Sequence, residues 1–156
     1  MPYDPVMIQP FRDELLQAGF TELRTAAEVD AEFAKEGTAL LVVNSVCGCA
    51  AGQARPGVVK ALSHQRVPDR LLSVFAGQDL DATARARSYF TGYSPSSPNV
   101  ALLKDGTVVF MLQRYQIQGL DAGELARAVT AAFDAHLGAS AAPAPRASLD
   151  LPAARG

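Results

Sequence analysis

The residues best suited to chemistry in this chain are Cys47 and Cys49, its only two cysteines, set one glycine apart in "VVNSVCGCAA". A thiolate, not a thiol, attacks disulfides, and the unpaired N–H groups at a helix start lower a thiol's pKa. Cys47 precedes an expected helix and Cys49 stands in its first turn. This order makes Cys47 the more exposed sulfur and the nucleophile, with Cys49 close enough to attack a mixed disulfide formed on it. Gly48 supplies the backbone freedom needed to bring residues two apart into bonding range. The ring so closed is tiny, so it removes little unfolded-state entropy and is readily reduced; it is not a structural staple. Two other readings stay open. Two thiolates are half a zinc site, although the remaining candidates, His64 and His136, show no recognisable ligand spacing, so no metal ligand is assigned. Free cysteines also serve as small, inert hydrophobes in cores.

Composition bounds the setting. The chain has 156 residues, 49% hydrophobic and 19% charged, enough for one domain with a real core. Net charge is -2 with no basic run, which argues against a nucleic-acid or membrane surface, since phosphates require clustered Lys and Arg. No apolar run approaches the roughly 20 residues of a membrane span. The start, "MPYDPVMIQPFRDELL", lacks the basic and apolar regions of a secretion signal, which makes the cytoplasm the expected location. Thiols there are kept reduced.

The elements that must position the cysteines follow from patterning. Phe11 to Ala18 reads as a short helix with Pro10 at its first position, and "GFTELRT" as a brief strand. Thr25 and Glu28 form a capping box for a helix running to about Lys35 and ending near Gly37. "TALLVVNSV" reads as a central strand buried on both faces. The helix after the cysteines, "AAGQARPGVVKALSH", should bend at Pro56. "RLLSVFAG" is a second buried strand, and "DLDATARARSYF" a helix capped by Asp79 or Asp81, with Arg85 and Arg87 on a solvated face. The loop "TGYSPSSP" leads to strand "NVALLK", and Asp105-Gly106 turns tightly into "TVVFML". The last helix opens at Asp121 and runs to about Leu137, burying Leu125, Val129 and Phe133. His64 and His136 near helix ends read as dipole-complementing residues. From Gly138 the chain has no aromatics and several prolines, so residues 1–138 read as the domain and 139–156 as a disordered tail.

Alternating helices and strands predict an α/β fold with parallel pairing, and the final hairpin an antiparallel edge. This is the thioredoxin-like layout, a central mixed sheet of four to five strands flanked by helices. The cysteines fall at the carboxyl end of a central strand, where open α/β sheets place their ligands. In this fold a cis-proline precedes the strand that lies beside the redox loop. Pro98 stands directly before "NVALLK", so Ser97-Pro98 is expected to be cis and to lie beside Cys47, with Ser97 offering its backbone to an extended substrate.

At "VVNSVCGCAAGQARP" the chain closely resembles the bacilliredoxin family, and "VFAGQD", "YFTGYSPSSP", "ALLKDG" and "AAFDAH" extend the likeness from about Pro10 to His136. The resemblance implies a thioredoxin-like fold and a thiol-disulfide oxidoreductase that reduces mixed disulfides between proteins and bacillithiol. The family's nucleophile maps onto Cys47 and its second cysteine onto Cys49. It further implies bacillithiol as thiol co-substrate with no other cofactor, bacillithiolated client proteins, and a recycling reductase. Isomerase activity has also been associated with the family, so a general protein disulfide reductase or isomerase is the alternative, and a non-catalytic thiol metal-binding module a third. One departure is "QRYQIQG", where relatives often carry a histidine near Tyr115 and an acidic residue near Gln118. Bacillithiol bears a malate unit with carboxylates and a hydroxyl-rich sugar, which should seek donors and a cation near the sulfur. By position these are the amides of Cys49 and Ala50, the hydroxyls of Ser94 to Ser97, and Arg55, the nearest cation in sequence; a solvated helix position is the other reading of Arg55.

Overall fold

Helices and strands alternate as α1 (Pro5–Gln17), β1 (Thr21–Glu22), α2 (Ala26–Phe33), β2 (Thr38–Asn44), a π-helical turn (Ala50–Ala54) running into α3 (Arg55–Ala61), β3 (Arg70–Phe75), α4 (Leu80–Ser88), β4 (Asn99–Lys104), β5 (Thr107–Leu112), α5 (Arg114–Ile117) and α6 (Ala122–His136). The structure is a computed structural model describing residues 2–138, so the tail read at 139–156 lies outside the described residues. Among the described residues no helix is long and apolar enough to cross a membrane.

The five strands form one mixed sheet in the order β1-β3-β2-β4-β5. β3 pairs parallel with β1 and β2, whereas β4 runs antiparallel to β2 and to β5. β2 is central, and every one of its residues is buried. Successive side chains point to opposite faces. Leu40 and Val42 therefore join Val58, Leu125, Val129 and Phe133 of α3 and α6 on one face. Ala39, Leu41 and Val43 join Val29 and Phe33 of α2 and Ala82 and Ala86 of α4 on the other. Each fully buried Val or Leu side chain contributes about 1.5–3 kcal/mol, which is why this run reads so clearly as a central strand.

Local signals hold at most boundaries. Thr25 with Glu28, and Asp121 with Glu124, form reciprocal capping boxes. Asp105 and Gly106 both take positive φ, 52° and 80°, as a two-residue hairpin turn requires. A Cβ on Gly106 would also lie 2.2 Å from the Phe33 carbonyl oxygen, so no other residue fits there.

Three readings are corrected, and one short helix is added. α1 starts at Pro5, capped by the Asp4 carboxylate accepting from Val6 N–H; Pro10 lies inside the helix on its exposed side. Asp4-Pro5 carries the same start signal as Pro10 and lies earlier. The disturbance expected at Pro56 is displaced upstream: Pro56 sits in the first turn of α3, where its missing N–H is tolerated, and the preceding turn widens to a π-helix. Asp79 occupies the cap position of α4, but its side chain makes no capping bond. Its carboxylate instead takes both arms of buried Arg12, at 2.9 and 3.1 Å. The short helix α5 carries no apolar periodicity that would mark it in the sequence; at its start the Gln116 side chain accepts from Gln113 N–H at 2.9 Å.

Candidate active site

β2 ends at Asn44, and the next residues turn across the end of the sheet into the π-helical turn. Asn44 fixes that exit. Its Nδ2 donates to the Phe11 carbonyl at 3.1 Å, and its Oδ1 accepts from Ser45 N–H at 2.9 Å. The Ser45 hydroxyl accepts from Cys47 N–H at 3.2 Å. The Cys47 carbonyl accepts from Ala50 and Ala51 N–H, so helical bonding begins at Cys47. The two sulfurs, both half-buried, lie 2.8 Å apart.

Both thiols are partly buried, with Cys49 packed against the core, and their electrostatic surroundings separate them further. Burial pushes the Cys47 thiol up. Hydrogen bonds to its sulfur from the Cys49 thiol, Ser45 and the N–H groups of Ala50 and Cys49 outweigh that and hold it below the usual thiol value. For Cys49, burial, the hydrogen bond with Cys47 and the Cys47 charge all push upward, against the opposing field of Arg114. Cys47 is thus the sulfur that ionises first, the requirement for an attacking thiol.

The sign of the pH dependence follows. Alkylation of Cys47 should rise with pH through a midpoint below the usual thiol range and then level off. In Cys49→Ala, which removes one hydrogen bond to the thiolate, that midpoint should move up. Iodoacetamide rates across pH check both, and an unshifted midpoint in the variant would exclude Cys49 as a source of the depression.

The Ser97-Pro98 peptide bond is cis. Ser97 lines a cleft of about 330 Å³ together with Cys47, Ser45, Tyr3, Arg87 and Arg114. The loop before Pro98 is held from two sides. Arg87 Nη2 donates to the Ser96 carbonyl at 3.1 Å, and Gln113 Nε2 to the Ser94 carbonyl at 2.7 Å.

Arg55 is not in this cleft, and its assignment as a substrate-binding cation is corrected. It is 1% exposed, the largest fully buried side chain among the described residues. Its Nη1 donates to Asn44 Oδ1 at 2.9 Å and to the Ser45 carbonyl at 2.8 Å, its Nε pairs with Glu14, and its guanidinium lies 4.8 Å over the Phe11 ring. It supports the cysteine loop from beneath, and neither the solvated position nor the ligand position read from sequence describes it.

Sequence reasoning also missed three residues of the cleft. Arg87, placed on a solvated face, is half-buried, whereas Arg85 is exposed and pairs with Asp30. Tyr3 arrives from the chain start. Arg114 was findable in principle: β5 returns antiparallel along β4, Leu112 opposite Val100, so residues just after β5 must lie beside those just before β4. Both histidines lie elsewhere. His64 meets Asp134 at 2.8 Å, and His136 closes α6. Among the described residues no three His, Cys, Asp or Glu side chains converge as metal ligands.

A sequence model of the family described as "Disulphide isomerase" matches residues 3–137. The bacilliredoxin of Salinibacter ruber is 50% identical over 159 residues, covering 100% of this chain and 94% of that protein. The bacilliredoxin of Koribacter versatilis is 50% identical over 140 residues, covering 89% of this chain and 97% of its own. That of Staphylococcus saprophyticus is 54% identical over 115 residues, covering 74% and 79%. Among solved structures, oxidised thioredoxin from Plasmodium falciparum superposes with a TM-score of 0.51 at 11% identity, covering 74% of this chain and 99% of its own. Oxidised mitochondrial thioredoxin 3 from Saccharomyces cerevisiae gives 0.50 at 13% identity, covering 74% and 94%. The latter two establish the thioredoxin fold and the former the lineage. With two thiols side by side at the end of the central strand, this chain belongs to the bacilliredoxin family and is a thiol-disulfide oxidoreductase.

Proposed function

We propose that the protein removes bacillithiol from mixed disulfides on client proteins. The observation that carries the reading is the sulfur pair itself, 2.8 Å apart with Cys47 favoured as thiolate, in a chain half identical to proteins named bacilliredoxin. The Cys47 thiolate attacks the bacillithiol sulfur of the modified client. A new S–S bond forms between Cys47 and bacillithiol, the client–bacillithiol bond breaks, and its electron pair leaves on the client sulfur, which takes up a proton. The Cys49 thiolate, or another thiol, then attacks Cys47 Sγ and expels bacillithiol as thiolate. When Cys49 attacks, the pair is left oxidised and a two-electron dithiol reductant must restore it. The natural setting is the cytoplasm, where such reductants keep thiols reduced.

The family description as a disulphide isomerase favours a second reading, reduction or rearrangement of peptide disulfides by the same two sulfurs. One experiment separates them. The reduced protein is exposed to bacillithiol disulfide and, separately, to glutathione disulfide, and adducts are resolved by intact-mass spectrometry. Release of bacillithiol from a modified client is followed in parallel. Fast, selective bacillithiol transfer to Cys47 supports the proposal. Equal rates with both disulfides, together with turnover of scrambled peptide disulfides, would replace it with the second reading.

A further inference from the structure

Arg87 and Arg114 line the cleft that holds Cys47 and Ser97, and no Asp or Glu lines it with them. Among the described residues Arg66 and Arg127 likewise form no ion pair, but they do not line this cleft, and the remaining arginines are paired. Arg12, Arg24, Arg55, Arg70 and Arg85 each meet a carboxylate. Arg87 and Arg114, among the described residues, meet only neutral oxygens. Arg87 Nη2 donates to the Ser96 carbonyl at 3.1 Å, and Arg114 Nη1 makes a long contact of 3.4 Å with the Ser97 carbonyl. A guanidinium carries five N–H donors in a fixed fork, so each keeps donors to spare. Arg87 Nε is buried with no hydrogen-bond partner among the described residues. A charged group withdrawn from water without a counter-charge is unfavourable, and an anion delivered to it would offset that penalty. Burial alone pushes the Arg87 guanidinium down from its usual value, as expected where no carboxylate compensates. The chain as a whole carries a net charge of -2, so this positive cleft at the nucleophile is local.

We infer that Arg87 and Arg114 form a carboxylate-binding subsite beside Cys47, which selects mixed disulfides whose small-thiol half is anionic. The inference rests on the reading that Cys47 accepts a small thiol, and it names what in that thiol is recognised. The cleft, about 330 Å³, is at the small end of the size range of ligand sites. Two guanidiniums flanking it match a dicarboxylate such as the malate unit of bacillithiol, because arginine pairs with carboxylates through two parallel N–H···O bonds. Arg87, half-buried, supplies the larger share; Arg114 is exposed, so its contribution is screened by water and salt.

The test is a charge series on one client peptide cysteine, carrying mercaptosuccinate, 2-mercaptoethanol, cysteamine or bacillithiol as the mixed-disulfide partner. Rates of client-thiol release are divided by those given by dithiothreitol, which removes differences in intrinsic reactivity. Wild type should prefer mercaptosuccinate over 2-mercaptoethanol, and cysteamine least. In the double variant Arg87→Gln/Arg114→Gln the anion-to-neutral ratio should fall about ten- to hundredfold. The double lysine variant should keep part of it, and added salt should compress it in wild type. Arg114→Gln alone, at an exposed position, secures the comparison if the double variant folds poorly. A wild type with no charge preference, or a ratio unmoved by the glutamines, would overturn the inference. If mercaptosuccinate preference stands while bacillithiol is not released, the proposed function fails and the subsite survives. If bacillithiol is released and the charge series is flat, only the subsite fails.

Discussion

Replacing Cys47 with serine should abolish release of clients from mixed disulfides, a loss of roughly 10,000-fold or more. A serine hydroxyl cannot ionise near neutral pH and forms no bond that a thiol would reduce, and the remaining thiol, Cys49, packs against the core and does not line the cleft. Cys49→Ser should behave differently. The first exchange needs only Cys47, so the small thiol should still transfer and then persist on Cys47, visible by mass. Its first-step rate should fall modestly at neutral pH, because the depressed thiol pKa of Cys47 relies partly on the Cys49 hydrogen bond. The two single variants should therefore alkylate at very different rates, the one retaining Cys47 faster. Equal rates would show that the sulfurs are interchangeable, and would remove the basis for assigning separate roles to them.

Arg55→Ala should lower stability by about 2–4 kcal/mol, combining a lost charged hydrogen-bond donor with the cavity left by a large side chain. For a domain of this size that corresponds to a fall in Tm of about 10 °C. The figure is kept below that for breaking a fully buried ion pair because Glu14, the abandoned partner, is 46% exposed and rehydrates. The Ser45 carbonyl and Asn44 Oδ1 would lose a donor under the cysteine loop. Release of anionic and neutral small thiols should consequently slow by a similar factor, through displacement of Cys47. Arg55→Lys should recover only part of the stability, since one ammonium cannot reach Glu14, Asn44 and Ser45 as the fork does. Thermal unfolding and the two-substrate comparison check this together. Slowing confined to anionic thiols would return Arg55 to a ligand-binding role despite its burial.

What could be read from the sequence alone were the features set by neighbours in sequence. The apolar run 38–44 declared a central strand because both faces of β2 are covered, and each alternate residue has its own core to enter. Asp105-Gly106 declared the hairpin because few residue pairs accept positive φ twice. From these, the place of Cys47 and Cys49 at the strand's end followed, as did that of Pro98 before β4. The facing of the arginines did not follow. Arg55 lies eleven residues from Asn44 but forty-one from Glu14, and it is buried because α1 and the β2 exit close over it. Arg87 and Arg114 sit on different elements and are brought to one cleft by the loop before Pro98, to which each donates a hydrogen bond. A cation's role depends on which carboxylates reach it. Arg55 is paired within the fold, while Arg87 and Arg114 keep unmatched charge beside the thiol, and that difference is created by contacts between segments remote in sequence, which local propensity does not encode.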